Sequence, residues 1–143
     1  MNTFIKREYD YAIRICAYLA GQFQKGHAPI PEIANKLYLT RPFTTKIVYK
    51  LKNAGIVDTV QGKVGGVFLA QPPEELTIYA ILKAMGFNAT INECLQKNYS
   101  CPLASMCKIQ NFFAAQQNLI IENFKKTKIA EFAFTDVDLI PVS

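Results

Sequence analysis

Between residues 56 and 70 the apolar pattern of the chain changes period, and that change narrows the folds open to it. Ile56-Val57-Asp58-Thr59-Val60 and Val67-Phe68-Leu69-Ala70 are β-branched or apolar runs flanking Gln61-Gly62-Lys63-Val64-Gly65-Gly66, the pattern of a hairpin with a glycine-rich tip. Upstream the spacing is helical. Ile5, Tyr9, Ile13, Cys16 and Ala20 fall at three- and four-residue steps and predict one face of a first helix over residues 4–22. Gly21 and Gly26-His27-Ala28-Pro29 end it in a loop, where His27 is expected to be solvated. Pro31 suits the first turn of a short second helix with Ile33, Ala34 and Leu37 inside. Thr40 as N-cap, Pro42 in the first turn and Gly55 after the last turn bound a third helix ending near Asn53. Its Phe43, Ile47, Val48 and Leu51 should face inward, leaving Arg41, Thr44, Thr45, Lys46, Tyr49, Lys50 and Lys52 outward.

Beyond the hairpin, Pro73-Glu74-Glu75 should open a helix of about a dozen residues that Gly86 ends. Residues 87–107 are rich in Asn, Ser and turn formers and hold Cys94, Cys101 and Cys107. A long helix is expected from about Leu103 to Lys126, and Ile109, Phe112, Phe113, Leu119, Ile120, Ile121 and Phe124 cover more than one stripe of it. Such coverage in a small protein serves its own core and a partner as well. The tail from Ile129 to Val142 is apolar with scattered acids and should pack back on the core. This gives a mainly α fold with a small β-hairpin wing: a winged helix-turn-helix over residues 1–86, a cysteine loop over 87–107, and a dimerisation helix and tail over 103–143, all in one compact domain.

Helix, helix, helix and glycine-tipped hairpin together suit DNA. A third helix with an exposed start can enter the major groove, where Arg41, Thr44, Thr45, Lys46, Tyr49 and Lys50 would reach base edges and phosphates, with Gln61 and Lys63 of the wing on the backbone. Few side chains at the tip would obstruct that approach. Sixteen Lys and Arg against eleven Asp and Glu give a net charge of +5, compatible with nucleic acid as partner. The first ten residues are charged and lack a signal-peptide core, and no apolar run is long enough for a bilayer. A cytoplasmic protein is expected, with reduced thiols and no membrane contact. There is no C-x-x-C, no His close to a Cys and no evident acid–base pair, so an enzyme is not expected.

The chain resembles the winged-helix iron–sulfur regulators typified by IscR, NsrR, RirA and CymR. The likeness rests on Asp10-Tyr11-Ala12-Ile13-Arg14, Pro29-Ile30-Pro31-Glu32-Ile33-Ala34, Lys50-Leu51-Lys52-Asn53-Ala54-Gly55-Ile56-Val57, the wing Gly62-Lys63-Val64-Gly65-Gly66 and the three cysteines, and it spans nearly the whole length. It is nearest in motif to the NsrR-like members. What it implies is a homodimeric transcription regulator, read here as a repressor, bound to an inverted repeat in double-stranded DNA.

The cysteine spacing, C-x6-C-x5-C, matches neither structural zinc pairs nor ferredoxin runs. It does resemble the loop that holds an iron–sulfur cluster, [2Fe-2S] or [4Fe-4S], in cluster-binding family members. Three thiolates leave one position to fill. Gln110 stands where IscR-like members place a His ligand, and Asp10 matches the Asp that completes the site in nitric-oxide-sensing members; Glu8 is the fallback. Cys16 lies on the apolar face of the first helix and reads as core. Gln61 and Thr45 replace an Arg and a Glu of IscR-like members, so target sequence does not transfer. The expected signal is nitric oxide, oxygen or redox state, or iron. The alternative is the same fold without a cluster, controlled by thiol oxidation or a protein partner.

Overall fold

The computed structural model describes residues 3–103 and 107–139. Helices α1 (Arg7–Gly21), α2 (Ile30–Lys36) and α3 (Arg41–Asn53) precede an antiparallel hairpin of β1 (Val57–Val60) and β2 (Gly66–Leu69). Helices α4 (Ile78–Ala84) and α5 (Lys108–Lys126) follow, with single 3-10 turns at Glu93–Leu95, Ile129–Phe132 and Asp136–Leu139. This is the expected mainly helical fold with a hairpin wing.

The core is built around α1. Ala12, Ile15, Cys16 and Leu19 lie at i, i+3, i+4 and i+7 and are fully buried. Burial continues through Ala17, Tyr18 and Ala20, because α3, α4, β2 and the Ile129–Phe132 turn surround the helix. The sequence stripe named Tyr9, Cys16 and Ala20 rightly, but Ile5 and Ile13 are only half-buried. Ala12, Ile15 and Leu19 carry the deep face instead.

The hairpin pairs Val57 with Leu69 and Val60 with Gly66. Its base is stitched to the segment before α2: Ala28 N–H donates to Val67 O (2.9 Å) and Val67 N–H to Ala28 O (2.7 Å). A Cβ on Gly66 would come within 2.6 Å of the Ala28 carbonyl carbon, and one on Gly65 would strike the Val60 carbonyl oxygen. Two of the three tip glycines are therefore required by close packing within the protein, not by clearance for a ligand. Only Gly62, at φ +108°, is a glycine for its backbone angle with open space around it.

Helix α1 begins at Arg7 rather than at residue 4, and two later helices are also shorter than their sequence patterns suggest. Pro73, Glu74 and Glu75 form a turn, and α4 begins after Thr77, whose hydroxyl accepts the Ala80 N–H at 3.0 Å. Helix α5 starts at Lys108 rather than near Leu103, with Cys107 as its N-cap. A residue whose side chain caps the helix adopts extended backbone, so each start moves downstream to the capping residue. His27, expected in solvent, is half-buried, and its Nδ1 has no protein partner among the described residues.

The described tail packs back at Ile129, Phe134 and Leu139, with Phe132 and Val137 left exposed; residues 140–142 of the expected tail lie outside the described residues. Phe134 N–H donates to Ala17 O at 3.3 Å, and Phe134's backbone fills the space where Gly21 lacks a Cβ. Asp136 then pairs with Lys36 of α2 at 2.7 Å and accepts the Tyr18 hydroxyl at 2.9 Å. Lys36 and Tyr18 hold the Asp136 carboxyl below the usual carboxylate range. A depressed folded value means that the tether is complete above the unfolded value of about 3.9 and is lost as pH falls through the lower folded one. An NMR titration of the Asp136 carboxyl should give a midpoint below about 3.9 that moves upward in Lys36→Met, where only the Tyr18 hydroxyl bond remains. Equal midpoints in the two proteins would show that Lys36 does not hold Asp136.

Candidate nucleic-acid interface and cysteine loop

Thr40 caps α3 by accepting the Phe43 N–H at 3.3 Å, and the helix turns Ile47, Val48 and Leu51 into the core. Arg41, Thr45, Lys46 and Tyr49 stand on the exposed face, where with Pro42 they line one open depression. Thr44 does not join them. Its side chain is fully buried and its hydroxyl donates to Thr40 O at 2.9 Å, so its expected place among the DNA contacts is corrected to a core position. One residue of the helix turns about 100° from the next, so Thr44 falls between Ile47 and Val48 on the buried face. Gln61 and Lys63 are both exposed on the wing, beside Val64 at its tip.

Lys46 and Lys50 are not free. Glu8, on the first turn of α1, bridges them: Oε2 lies 3.1 Å from Lys46 Nζ and Oε1 lies 3.1 Å from Lys50 Nζ. Partial burial pushes the Glu8 carboxyl up, but the two ammonium groups outweigh it and hold the carboxyl below its usual range. Arg7 adds a second tie, its guanidinium 4.9 Å from the Phe43 ring and 5.1 Å from the Tyr11 ring. Neither link was read from the sequence. Both join residues far apart in the chain, and only the packing of α1 on α3 brings them together.

The three cysteines are free and half-buried. Cys94 sits in the Glu93–Leu95 turn, Cys101 beyond it, and Cys107 at the start of α5. Cys101 Sγ accepts the Leu103 N–H at 3.4 Å and Cys107 Sγ accepts the Gln110 N–H at 3.3 Å. The Gln110 side chain donates to Cys94 O at 3.2 Å, and Gln117 accepts the Ile91 N–H at 2.9 Å. Gln110 thus ties the first cysteine's limb to the third's. Cys101 and Glu93 lie close enough to Tyr99 to push its phenol up.

Among the described residues no three His, Cys, Asp or Glu side chains are gathered into a metal-holding group. Asp10 is paired with Arg14 at 3.1 Å instead, and Glu8 with the two lysines. Soft thiols on one turn-rich loop, two of them already accepting backbone N–H groups, have the chemistry an iron–sulfur cluster needs. The loop would have to draw its sulfurs together to hold one. Cys16 is fully buried among apolar side chains, which push its thiol up and keep it inert.

Residues 5–134 match the family model of Rrf2, described as an iron-dependent transcriptional regulator. The chain belongs to the Rrf2 family. Among its relatives, protein aau3 of Rhizobium meliloti is 30% identical over 133 residues, 87% of this chain and 86% of that protein. The HTH-type transcriptional regulator NsrR of Halalkalibacterium halodurans is 30% identical over 102 residues, 71% of this chain and 70% of that one. Among solved structures, CymR, the global cysteine regulator of B. subtilis, superposes with TM-score 0.76 at 20% identity, covering 94% of this chain and all of that one. T. potens IscR does so with TM-score 0.69 at 20% identity, covering 92% and 85%. The Rrf2 protein described here is therefore a winged-helix transcription regulator and not an enzyme. No helix among its described residues is long and apolar enough to cross a membrane.

The inward Thr44 gives a direct check on how α3 is turned. Thr44→Val removes one buried hydrogen bond and should cost about 1 kcal/mol in urea unfolding. Arg41→Ala, on the exposed face, should change stability by less than about 0.5 kcal/mol. The reverse order would place Thr44 outside.

Proposed function

We propose that this Rrf2 regulator reads double-stranded DNA as a homodimer, through α3 and the wing, and that an iron–sulfur cluster on Cys94, Cys101 and Cys107 sets its affinity, acting as a repressor. The observation that carries the DNA reading is the open face of α3, where Arg41, Thr45, Lys46 and Tyr49 stand together, all exposed. Lys46 and Lys50 neutralise phosphates once they leave Glu8; Gln61 and Lys63 follow the backbone from the wing. Each lysine that contacts one phosphate contributes about one unit to the salt dependence of binding. Lys46→Ala and Lys50→Ala should each flatten the log–log slope by about one unit, and unchanged slopes in both would remove α3 from the interface.

The second copy is supported by α5. Its nineteen residues include no buried one, and Ile109, Phe112 and Leu119 are 66%, 58% and 60% exposed. A two-fold pairing along α5 would cover them and set two reading helices about one DNA turn apart, matching an inverted repeat. Leu119→Arg should convert a sedimenting dimer to monomer at micromolar concentration and abolish cooperative binding to a two-half-site duplex. A monomeric wild type would sink the pairing.

The cluster is supported by the three accessible thiols of one loop, by the iron-dependent description of the matched family, and by the NsrR relatives. Asp10, from the partner subunit, is the proposed fourth ligand; a carboxylate exchanges more readily than a thiolate. When bound, the cluster supplies a redox- and nitric-oxide-reactive iron centre. This chain's residues hold it and, through the common start of α1, link it to α3. Anaerobically purified protein should be brown, with the absorbance lost in Cys94→Ala, Cys101→Ala or Cys107→Ala and kept in Cys16→Ala. Asp10→Ala should leave a shorter-lived or spectrally altered cluster. Colourless protein without iron or sulfide would favour the second reading, control by oxidation of the same accessible thiols or by a protein partner.

A further inference from the structure

Three helices of this chain end in the same hydrogen-bonded motif, and one of them uses the wrong residue. After α3, Gly55 N–H donates to Lys52 O and Ile56 N–H to Leu51 O; after α4, Gly86 N–H donates to Lys83 O and Phe87 N–H to Leu82 O. Both are Schellman ends, and both put glycine, at φ +75° and +94°, in the left-handed position. After α2 the same pair recurs, with Tyr38 N–H to Asn35 O at 3.3 Å and Leu39 N–H to Ala34 O at 2.8 Å. Here the left-handed residue, at φ +58°, is Tyr38. A Cβ in that conformation presses on its own carbonyl, so a bulky side chain there is strained.

The two hydrogen bonds of the motif hold Tyr38 in that conformation, but its side chain gains no packing among the described residues. The Tyr38 side chain is 86% exposed, the most exposed large apolar residue among those described. Burial, the usual reason for placing an aromatic ring, does not apply. The position is the elbow of the helix-turn-helix, two residues before the N-cap Thr40 and three before Arg41. Strain held at an exposed site next to a binding face points to a contact outside the chain.

We propose that Tyr38 is a DNA-contact residue, its phenol hydroxyl donating to a phosphate oxygen beside the N-terminus of α3. The proposal rests on the DNA reading above. Tyrosine is a common phosphate donor, and the exposed start of a thirteen-residue helix favours an anion at the same place. Being uncharged, the phenol adds affinity without releasing a counterion. Its loss should weaken binding without changing the salt slope, unlike the loss of Lys46 or Lys50.

The test uses the full chain, a mixed-sequence duplex of about three helical turns, and binding measured across a salt series. Tyr38→Gly should bind about tenfold more weakly at every salt concentration, with parallel log–log lines, as expected for one hydrogen bond to a charged acceptor. Its Tm should meanwhile rise by roughly 2–4 °C as the strain is relieved. Tyr38→Phe should bind as weakly as Tyr38→Gly with the Tm of wild type. Wild-type affinity in Tyr38→Phe overturns the phosphate bond, and a lowered Tm in Tyr38→Gly overturns the strain. If wild type binds and Tyr38→Gly binds equally well, the role of Tyr38 falls alone. If wild type binds no duplex, the DNA reading falls and takes this role with it.

Discussion

Ala12, Ile15, Cys16 and Leu19 give α1 a face without exposed surface, and α3, α4, β2 and the Ile129–Phe132 turn are all positioned by packing around it. A single truncation among Ile15 and Leu19 would cost about 2–5 kcal/mol, a large part of the total stability of a domain this size. The hub has a functional side as well. Its first turn keeps Tyr9 in the core but turns Arg7, Glu8 and Asp10 toward Phe43, Lys46, Lys50 and Arg14. The start of α1 and the face of α3 are thus one electrostatic unit. Whatever engages Asp10 acts two residues from the carboxylate that holds both lysines of α3.

The parts of the fold legible in the sequence were those set by local chemistry. Thr40, Pro31 and Pro42 marked helix starts, Gly55 and Gly86 marked ends, and the change from helical to alternating period marked the wing. Boundaries failed where a side chain captured the backbone. Thr77 delays α4 and Cys107 delays α5, because a capping oxygen or sulfur accepts an N–H inside the expected helix. The deep face of α1 was misjudged for another reason. Residues 15–20 of α1 are buried on every side, and a single stripe cannot be chosen from periodicity there.

In the candidate site, residue type and spacing were enough to select Arg41, Thr45, Lys46 and Tyr49 for the exposed face of α3, and to leave Cys16 in the core. They misplaced Thr44, since a threonine satisfied by its own helix's carbonyl is as comfortable buried as exposed. They also misjudged the wing glycines, whose packing partners, Val60 and Ala28, lie across a turn and across a bridge. Gln110 entered the sequence reading only as the residue standing where a histidine ligand would be. Its side-chain amide donates to Cys94 O, a bond made without a metal, while the bond to Cys107 Sγ comes from its backbone N–H and would be made by other residues as well.

The half of α5 that carries Cys107 is also the half with least support from its own chain. Ile121 and Phe124 reach the core near the helix's C-terminal end, whereas Ile109 and Phe112 project outward beside the cysteine loop. Short helices without tertiary packing are marginal in water, and the polar ties of Gln110 and Gln117 run to a loop that is itself without buried residues between Asn88 and Cys101. Covering Ile109 and Phe112 with a second copy would therefore order the first turns of α5 and the N-cap sulfur together. In the proposed dimer, assembly and the cysteine loop would stabilise each other, and the contacts of α5 with α4 and of α4 with α1 would connect that loop to the hub.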